Sequence, residues 1–268
     1  MYHQSTLSFT QTQINTRFLK HIGFGEQNEA EEMLRINSDL ALIAGDLTDC
    51  AGRYFKQITG FQYAIWALDW HMWKMLQHYL SKEAIQQQIH GFEYGAWLKE
   101  HGRMVSWKKL IDALQLYVDN YDKWDYKQCS AHWCQQVGGA QLMLPAHVIQ
   151  EYSRKDRSFD PCPQFNEIML PRHEDWTVIG WFEQNSGCLG DKFAWGRSSL
   201  WWRESWESTG DIDNLLNPGG ADEDRNAVAV LLNFRVKQRA QLFLQYGVTE
   251  HMLAKPRTEV KTRPVPRL

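Results

Sequence analysis

The fold is decided by the stretch Thr59-Gly60-Phe61-Gln62-Tyr63-Ala64-Ile65-Trp66-Ala67-Leu68-Asp69-Trp70-His71-Met72-Trp73-Lys74-Met75-Leu76. A weaker copy begins thirty-one residues later, where Gln57-Ile58-x-Gly60-Phe61-x-Tyr63-x-x-Trp66 recurs as Gln88-Ile89-x-Gly91-Phe92-x-Tyr94-x-x-Trp97. At a slightly larger offset, Trp73-Lys74-x-Leu76 recurs as Trp107-Lys108-x-Leu110. Apolar and glycine identities that return in the same order predict two copies of one helical-hairpin unit, over 53–83 and 84–121.

The period of these copies is close to that of ankyrin repeats, whose signature begins Thr-Pro-Leu-His-x-Ala. The segment Thr59-Gly60-Phe61-Gln62-Tyr63-Ala64 resembles that signature, with Gly for Pro, Phe for Leu and Gln for His. The resemblance implies two degenerate ankyrin-like helical hairpins that are extended by further helices. We expect the binding residues of the repeat surface to be Gln62, Asp69, Trp70, His71 and Glu93.

The rest of the sequence predicts a mainly α fold. Before the repeats, residues 1–25 are expected to form an irregular or strand-like arm, and a helix is predicted over 26–44. Apolar residues at helical spacing predict further helices, which cover 60–69, 71–80, 82–98, 106–121 and a final segment that begins near Asp224. The aromatic and β-branched segments 176–184 and 192–203 predict a small β-hairpin in the C-terminal half.

This pattern predicts two domains and a tail. The helical part with the repeats covers 1–124, and an α+β part packed on it covers 125–254. From Lys255 to Leu268 the chain holds five basic residues and three prolines with little that is apolar. Such a composition cannot bury enough apolar surface to fold, so 255–268 is predicted to be a disordered basic tail.

Composition limits the classes of partner. The formal net charge is −3, from 29 Lys and Arg against 32 Asp and Glu, so no general affinity for nucleic acid or anionic membranes is expected. We find no secretory signal and no apolar run long enough for a transmembrane helix. The odd number of cysteines, five, indicates reduced thiols in a cytosol-like compartment, and the positions are Cys50, Cys129, Cys134, Cys162 and Cys188.

An enzymatic alternative uses a cysteine nucleophile. In this hypothesis Cys134 attacks the substrate, His147 acts as the base, and Asp160 or Asn166 orients the imidazole. The backbone amides of Gly138 and Gly139 would stabilise an oxyanion. The opposing prediction is that Cys134 is a core residue, because Ala131, Cys134 and Val137 recur at three-residue spacing on one apolar face.

A zinc site is a second alternative, with ligands chosen from Cys129, His132 or Cys134, His147 and Cys162. On a helix Cys129 and His132 share a face, whereas Cys134 is two residues from His132 and points elsewhere. Because these close ligands do not converge on a regular helix, we predict neither a metal nor a cofactor.

Three segments together resemble a group of poorly characterised proteins of intracellular bacteria that deliver effectors into host cells by type IV secretion. They are Gly60-Phe61-Gln62-Tyr63-Ala64 through Met72-Trp73, then His132-Trp133-Cys134-x-x-Val137-Gly138-Gly139-Ala140-Gln141, then Arg157-Ser158-Phe159-Asp160-Pro161-Cys162-Pro163. The resemblance implies an ankyrin-like helical part and a host-directed role, and it assigns no catalytic residue.

The sequence therefore predicts a non-enzymatic protein–protein interaction module. The expected partner is another protein, with a host-cell protein as the candidate, and nucleic acid is not an expected partner. We expect the protein in the cytoplasm of the producing cell, with a non-Sec route into the host cytosol. The alternative is a Cys/His-dependent hydrolase or transferase that uses Cys134 and His147.

Overall fold

The computed structural model describes residues 10–153, 159–168 and 218–247. These residues are mainly helical, with one two-stranded antiparallel sheet, so the predicted fold class is confirmed. The elements up to residue 105 are α1 Gln11–Gly23, α2 Gln27–Ile36, a 3₁₀ helix Ser38–Leu42, β1 Ala44–Thr48, β2 Tyr54–Thr59, α3 Gly60–Ala67, α4 Trp70–Gln77, α5 Lys82–Phe92 and α6 Leu98–His101. The later elements are α7 Lys108–Asn120, α8 Tyr126–His132, a π-helix Trp133–Gly138, α9 Gly139–Gln141, α10 Ala146–Ser153 and α11 Pro218–Gln245.

The chain divides by its internal contacts into two compact units. The first unit is Met1–Val105 with Leu242–Thr249, and the second is Ser106–Gln241 with Glu250–Leu268. The division therefore comes before α7, whereas the sequence placed a boundary after Trp124. The predicted β-hairpin over 176–203 and the predicted basic tail over 255–268 lie outside the described residues. Among the described residues, no helix combines the length and apolar character needed to cross a membrane.

The first helix corrects the expectation of an irregular arm. Thr10 caps α1, because its Oγ1 accepts a hydrogen bond from Gln13 N at 3.3 Å while Gln13 Oε1 accepts one from Thr10 N at 2.8 Å. This reciprocal capping box satisfies two backbone donors that the helix itself cannot pair. The apolar side chains Phe18, Leu19 and Ile22 are buried. A cap followed by an apolar stripe is therefore sufficient to make Gln11–Gly23 helical.

The sheet packs closely against the end of α1. A Cβ added to Gly23 would lie 3.1 Å from the Thr48 carbonyl oxygen, so a larger residue would require the neighbouring backbone to shift by a few tenths of an ångström. The strands pair Gly45 with Ile58 and Leu47 with Phe55, and the register shifts between these pairs. This bulge places Leu47 and Phe55 in the core of the first unit.

The turn between the strands is held by a buried ion pair. The Asp49 side chain is fully buried, and its Oδ2 accepts a hydrogen bond from Arg53 Nε at 2.7 Å. The same oxygen accepts a hydrogen bond from the Tyr63 hydroxyl of α3 at 3.1 Å. Arg53 also lies over the Trp66 ring, 4.8 Å from its centroid. These contacts join the hairpin turn to the first helix of the predicted repeat.

Phe55 is the centre of the aromatic packing in this unit. Its ring centroid lies 4.7 Å from that of Trp66 and 6.3 Å from that of Trp97. The Tyr63 and His101 rings lie 5.3 Å and 4.2 Å away. The two repeat tryptophans therefore pack on one residue of β2, which agrees with their predicted place inside the fold.

The predicted equivalence of the two repeat copies is wrong. The first copy is a helix pair, α3 and α4, and Gly60 begins α3 as expected. In the second copy Gly91 lies near the end of α5, because that helix begins nine residues earlier at Lys82, where the Ser81 hydroxyl accepts from Ala84 N. Tyr63 is buried, whereas its counterpart Tyr94 is 75% exposed. Similar residues thus occupy different local structures.

The second unit begins with the strongest helix prediction, which is confirmed. α7 buries an apolar face that contains Leu110, Ile111, Ala113, Leu114 and Tyr117. An Asp125–Gln128 capping box starts α8, and Trp133 of the π-helix lies against Tyr117 with ring centroids 4.9 Å apart. The last helix begins at Pro218, six residues before its predicted start.

Truncation of the repeat tryptophans is the first test of this packing. Trp66→Ala and Trp97→Ala should each lower the free energy of unfolding by about 3–5 kcal/mol, because each leaves a cavity around Phe55. Urea unfolding followed by circular dichroism measures the change. The exposed Tyr94→Ala serves as the matched control, with an expected change within about 0.5 kcal/mol. Equal stability of all three variants would contradict the packing described here.

Alkaline pH should destabilise the protein through two groups beside Asp49, which are the Cys50 thiol and the Tyr63 hydroxyl. Burial raises the pKa of the Cys50 thiol and of the Tyr63 hydroxyl well above their ordinary values. A raised folded-state pKa means that only the unfolded thiol ionises above about pH 8.5, so stability is lost as pH rises from there. We expect a loss of up to about 1.4 kcal/mol per pH unit from Cys50. Urea unfolding at pH 8 to 10 should show a smaller loss in Cys50→Ala, and identical slopes would refute the assignment.

Candidate interaction surface

The segment that follows α1 leaves two aliphatic side chains in solvent. α2 buries Ala30 and Leu34 on one face, whereas Ile36 at its end is 88% exposed. Six residues later Leu42 is 53% exposed, although its neighbours Leu40 and Ala41 are buried. Of the large hydrophobic residues that the structure describes, Ile36 has the highest exposed fraction.

The exposure of these residues follows from a break in the predicted helix. The sequence predicted one helix over 26–44, which is wrong beyond Ile36. Asn37 takes an extended conformation, and its Oδ1 accepts a hydrogen bond from Asp39 N at 3.1 Å. Asparagine competes in this way with the helix ladder and starts the 3₁₀ helix Ser38–Leu42. Leu42 is the last residue of this 3₁₀ helix, so the break at Asn37 lies between the two exposed aliphatic residues.

The sequence around the two aliphatic residues is rich in carboxylates. Between residues 27 and 42 the chain has one basic residue, Arg35, and the acidic residues are Glu29, Glu31, Glu32 and Asp39. Arg35 Nη2 lies 3.3 Å from Glu31 Oε1, which also accepts a hydrogen bond from the Tyr79 hydroxyl at 3.3 Å. The contacts to Tyr79 and Glu31 raise the pKa of Arg35. Glu31 is thus already matched by a cation.

Two of the remaining carboxylates face solvent next to the aliphatic pair. Glu32 and Asp39 are both exposed, and within residues 10–153, 159–168 and 218–247 neither takes part in an ion pair. We call Glu32, Ile36, Asp39 and Leu42 the acidic–apolar surface. Its four members lie within eleven residues of sequence and join two exposed aliphatic side chains to two exposed carboxylates.

The residues predicted to bind a partner instead take part in the packing of the first unit. Gln62 accepts a hydrogen bond from Thr59 N at 3.2 Å and donates one to the Gln88 carbonyl at 3.0 Å. Asp69 is buried and caps α4, because its Oδ1 accepts from Met72 N at 3.1 Å. These contacts explain the presence of both polar residues without a ligand.

The other predicted binding residues have similar surroundings. His71 is buried, with its ring centroid 4.8 Å from that of the half-buried Trp70. Glu93 has a side chain that is only 9% exposed and lies 2.6 Å from Arg103 Nη1. A binding role for these residues stays a prediction, and the structure gives each of them a role in the fold.

Sequence reasoning missed the acidic–apolar surface because it treated 26–44 as one amphipathic helix. On a continuous helix, the stripe set by Ala30 and Leu34 continues at position 37, so Ile36 lies off it. The sequence signal that could have revealed the exposed residues was Ile36, which lies outside the apolar stripe and precedes an asparagine that breaks the helix.

The expected burial of Cys134 is wrong, since its side chain is partly exposed and Ala131 is exposed. The cause is the π-helix Trp133–Gly138, whose hydrogen bonds join residue i to i+5 and widen the turn. Buried residues therefore recur at four-residue spacing, and they are Cys129, Trp133 and Val137.

The partners proposed for Cys134 differ in exposure. His147 on α10 is buried, with its ring centroid 6.2 Å from that of Trp107. Asp160 and Asn166 are both exposed. The Cys134–His147–Asp160 mechanism stays a prediction.

Two of the proposed zinc ligands, His132 and Cys129, have surroundings that do not favour a metal ion. His132 Nε2 lies 2.8 Å from the Ala113 carbonyl oxygen, so this nitrogen carries a proton and donates. Cys129 is buried, and burial raises the pKa of its thiol. Within the part of the chain that the structure describes, no group of three or more His, Cys, Asp or Glu side chains is arranged to hold a metal ion.

The family of the chain is decided by comparison with known proteins. A family model described as the CBUA0006 C-terminal domain matches residues 109–245. The chain belongs to this family. The matched residues begin at the second residue of α7 and nearly coincide with the second unit, Ser106–Gln241. No solved structure matches the chain.

A relative extends the similarity beyond that domain. The chain is 40% identical over 215 residues to the uncharacterized protein CBUA0006 of Coxiella burnetii. This match covers 68% of this chain. The match spans 63% of the length of that relative. The predicted resemblance to proteins of intracellular bacteria is confirmed by this homologue. Neither match names an ankyrin repeat or a secretion system.

Thiol alkylation tests the corrected cysteine environments. Of the four cysteines that the structure describes, iodoacetamide at pH 8 should label the exposed Cys162 first and the partly exposed Cys134 next. Cys50 and Cys129 should react at least tenfold more slowly, because both thiols are buried and their pKa values are raised. Peptide mass spectrometry over time gives the order for these four cysteines, and denatured protein, in which they should react alike, is the control. Labelling of Cys134 only after denaturation would restore the core assignment.

Proposed function

We propose that this protein is a non-enzymatic protein–protein interaction module. The observation that carries the proposal is the acidic–apolar surface, in which Ile36 and Leu42 are exposed together with the carboxylates of Glu32 and Asp39. Burial of a Leu or Ile side chain contributes about 1.5–3 kcal/mol, so both residues would add to the affinity of a complex. A partner that covers them would remove this apolar surface from water.

The first unit provides a rigid support for such a contact. α2 is joined to Tyr79, which follows α4, because the Tyr79 hydroxyl donates a hydrogen bond to Glu31. The Gln88 side chain donates to the Ala41 carbonyl at 3.1 Å, which fixes the 3₁₀ helix next to Leu42. An interaction surface on ordered elements loses little conformational freedom when it binds.

We further propose that the partner is a host-cell protein. The support is the relative from Coxiella burnetii together with the residue patterns that resemble effectors of type IV secretion. In this proposal the protein is made in the bacterial cytoplasm and enters the host cytosol by a non-Sec route. The partner binds through protein contacts, and neither a cofactor nor nucleic acid takes part.

Site-specific photo-crosslinking tests the interaction. A benzoylphenylalanine at position 38, inside the acidic–apolar surface, should give a discrete cross-linked adduct in host-cell lysate. The same group in place of Asp119, an exposed residue of α7, is the matched control and should give none. The adduct should disappear when Ile36→Ser and Leu42→Ser are added. Equal adducts at both positions, or none at position 38, would contradict the proposal.

A second candidate function is favoured by the partial exposure of Cys134. A thiol nucleophile must be accessible, and π-helical segments occur often at functional sites. The second unit also buries ionisable side chains that could assist catalysis, which include His147, Glu151, Asp224, Arg235 and Arg239. In this hypothesis the protein is a hydrolase or transferase, with Cys134 as nucleophile and His147 as base.

Alkylation at acidic pH separates the two functions. A catalytic Cys134 paired with His147 would react with iodoacetamide at pH 6, where an ordinary thiol is almost wholly protonated. We expect instead less than a tenth of the pH 8 rate, with no change in His147→Asn, a variant whose folding is checked by circular dichroism. Rapid labelling at pH 6 that is lost in His147→Asn would favour the enzyme.

A further inference from the structure

We propose that His21 is a phosphoryl-acceptor site that is modified at its Nε2 atom. This site lies at the junction of α1 and α2 and goes beyond the proposed interaction function. His21 is in the last turn of α1, and Glu26 is the residue immediately before α2. Three observations support the site, which are the tautomer of the imidazole, the carboxylate on its other nitrogen and the cations of the same helix.

A hydrogen bond from Arg17 fixes which nitrogen of His21 carries the proton. Arg17 Nε donates to His21 Nε2 at 3.3 Å. A guanidinium group has donors and no acceptor, so Nε2 directs its lone pair toward Arg17. The proton of the neutral ring is therefore on Nδ1. A neutral imidazole with its lone pair on Nε2 is the nucleophilic form of histidine.

The other ring nitrogen is held by a carboxylate. His21 Nδ1 lies 2.5 Å from Glu26 Oε2, and the Glu26 amide donates to the His21 carbonyl at 2.9 Å. A carboxylate on Nδ1–H orients the ring and stabilises the positive charge that the ring gains in a reaction, as in a Ser-His-Asp triad. The side chains of His21 and Glu26 are 13% and 26% exposed. Partial shielding from water strengthens the electrostatic interaction between them.

The cations next to Nε2 favour a phosphoryl group as the electrophile. Arg17 is exposed, so its side chain is able to leave Nε2 and bind the incoming group. Guanidinium groups bind phosphate oxygens in a bidentate manner and neutralise their charge. Lys20, one position before His21, is a second exposed cation on this helix. An uncharged acyl donor would gain no such stabilisation from the two cations.

The proposed step transfers one phosphoryl group from a donor that contains a P–N bond, of which phosphoramidate is the simplest example. The Nε2 lone pair forms a new bond to phosphorus, and the P–N bond of the donor breaks. Ammonia leaves with the electron pair of that bond. The imidazole ring becomes positively charged and shares its Nδ1 proton with Glu26, while Arg17 pairs with the transferred phosphoryl oxygens. The product is an acid-labile phosphohistidine.

Treatment of the full-length protein with phosphoramidate tests the proposal. Peptide mass spectrometry should find the phosphoryl group on His21, formed about tenfold faster than on the internal controls His78 and His90. Both controls are exposed, and neither takes part in an ion pair among the residues that the structure describes. Nitrogen NMR of the untreated protein should show the Nδ1-protonated tautomer of His21.

Two variants separate a role in the reaction from a role in folding. Glu26→Gln keeps an acceptor for the Nδ1 proton but removes the charge, so phosphorylation of His21 should slow about tenfold. Arg17→Gln removes the contact to phosphate and should slow it about fivefold. The circular dichroism spectra of both variants should match that of the parent. Parental rates in both variants, equal labelling of the three histidines, or an Nε2-protonated His21 would each overturn the proposal.

Discussion

The ion pair between Asp49 and Arg53 is the contact on which the first unit depends. Two oxygens of one buried carboxylate accept hydrogen bonds from the turn backbone, from Arg53 and from Tyr63. A buried charge is tolerated only when such partners replace water, and removal of one partner leaves the other uncompensated. The pair closes the β-hairpin turn and fixes it to α3. The position of Phe55 and the aromatic packing around it follow from that attachment.

The same packing explains why the predicted binding residues are internal to the fold. Gln62 and Asp69 cap α3 and α4, and their hydrogen bonds pair backbone amides that a helix leaves unsatisfied. Glu93 is paired with Arg103 in a position that is largely shielded from solvent. Polar residues within an aromatic stretch can therefore be structural, and their polarity alone does not indicate a ligand. The acidic–apolar surface has the reverse character, since its apolar residues are exposed although the adjoining helix buries others.

The two units suggest a division of roles within the chain. The family domain, residues 109–245, nearly coincides with the second unit and contains Cys134 and His147. The proposed interaction surface lies in the first unit, outside that match. The similarity to the relative from Coxiella burnetii covers more residues than the family domain alone. In the second candidate function the catalytic centre would lie in the second unit, whereas the proposed interaction surface lies in the first.

The sequence by itself determined the mainly helical class and the individual helices with strong local signals. α7 is an example, since its apolar residues recur at helical spacing and need no distant contact to identify them. The first repeat pair was also predictable, because the Thr59 cap and the apolar run that follows are local. The equivalence of the second copy was not, because the cap at Ser81 sets the register of α5 and places Gly91 near its end.

Tertiary structure decided which of these residues are buried and which face solvent. The π-helix changed the periodicity around Cys134, and Ile36 and Leu42 stay exposed because no other described element buries them after the local break at Asn37. Helix breaks of this kind depend on competition between side-chain and backbone hydrogen bonds, which composition does not resolve. The place of Phe55 between two distant tryptophans likewise depends on long-range packing, because no local pattern records which side chains meet across the fold.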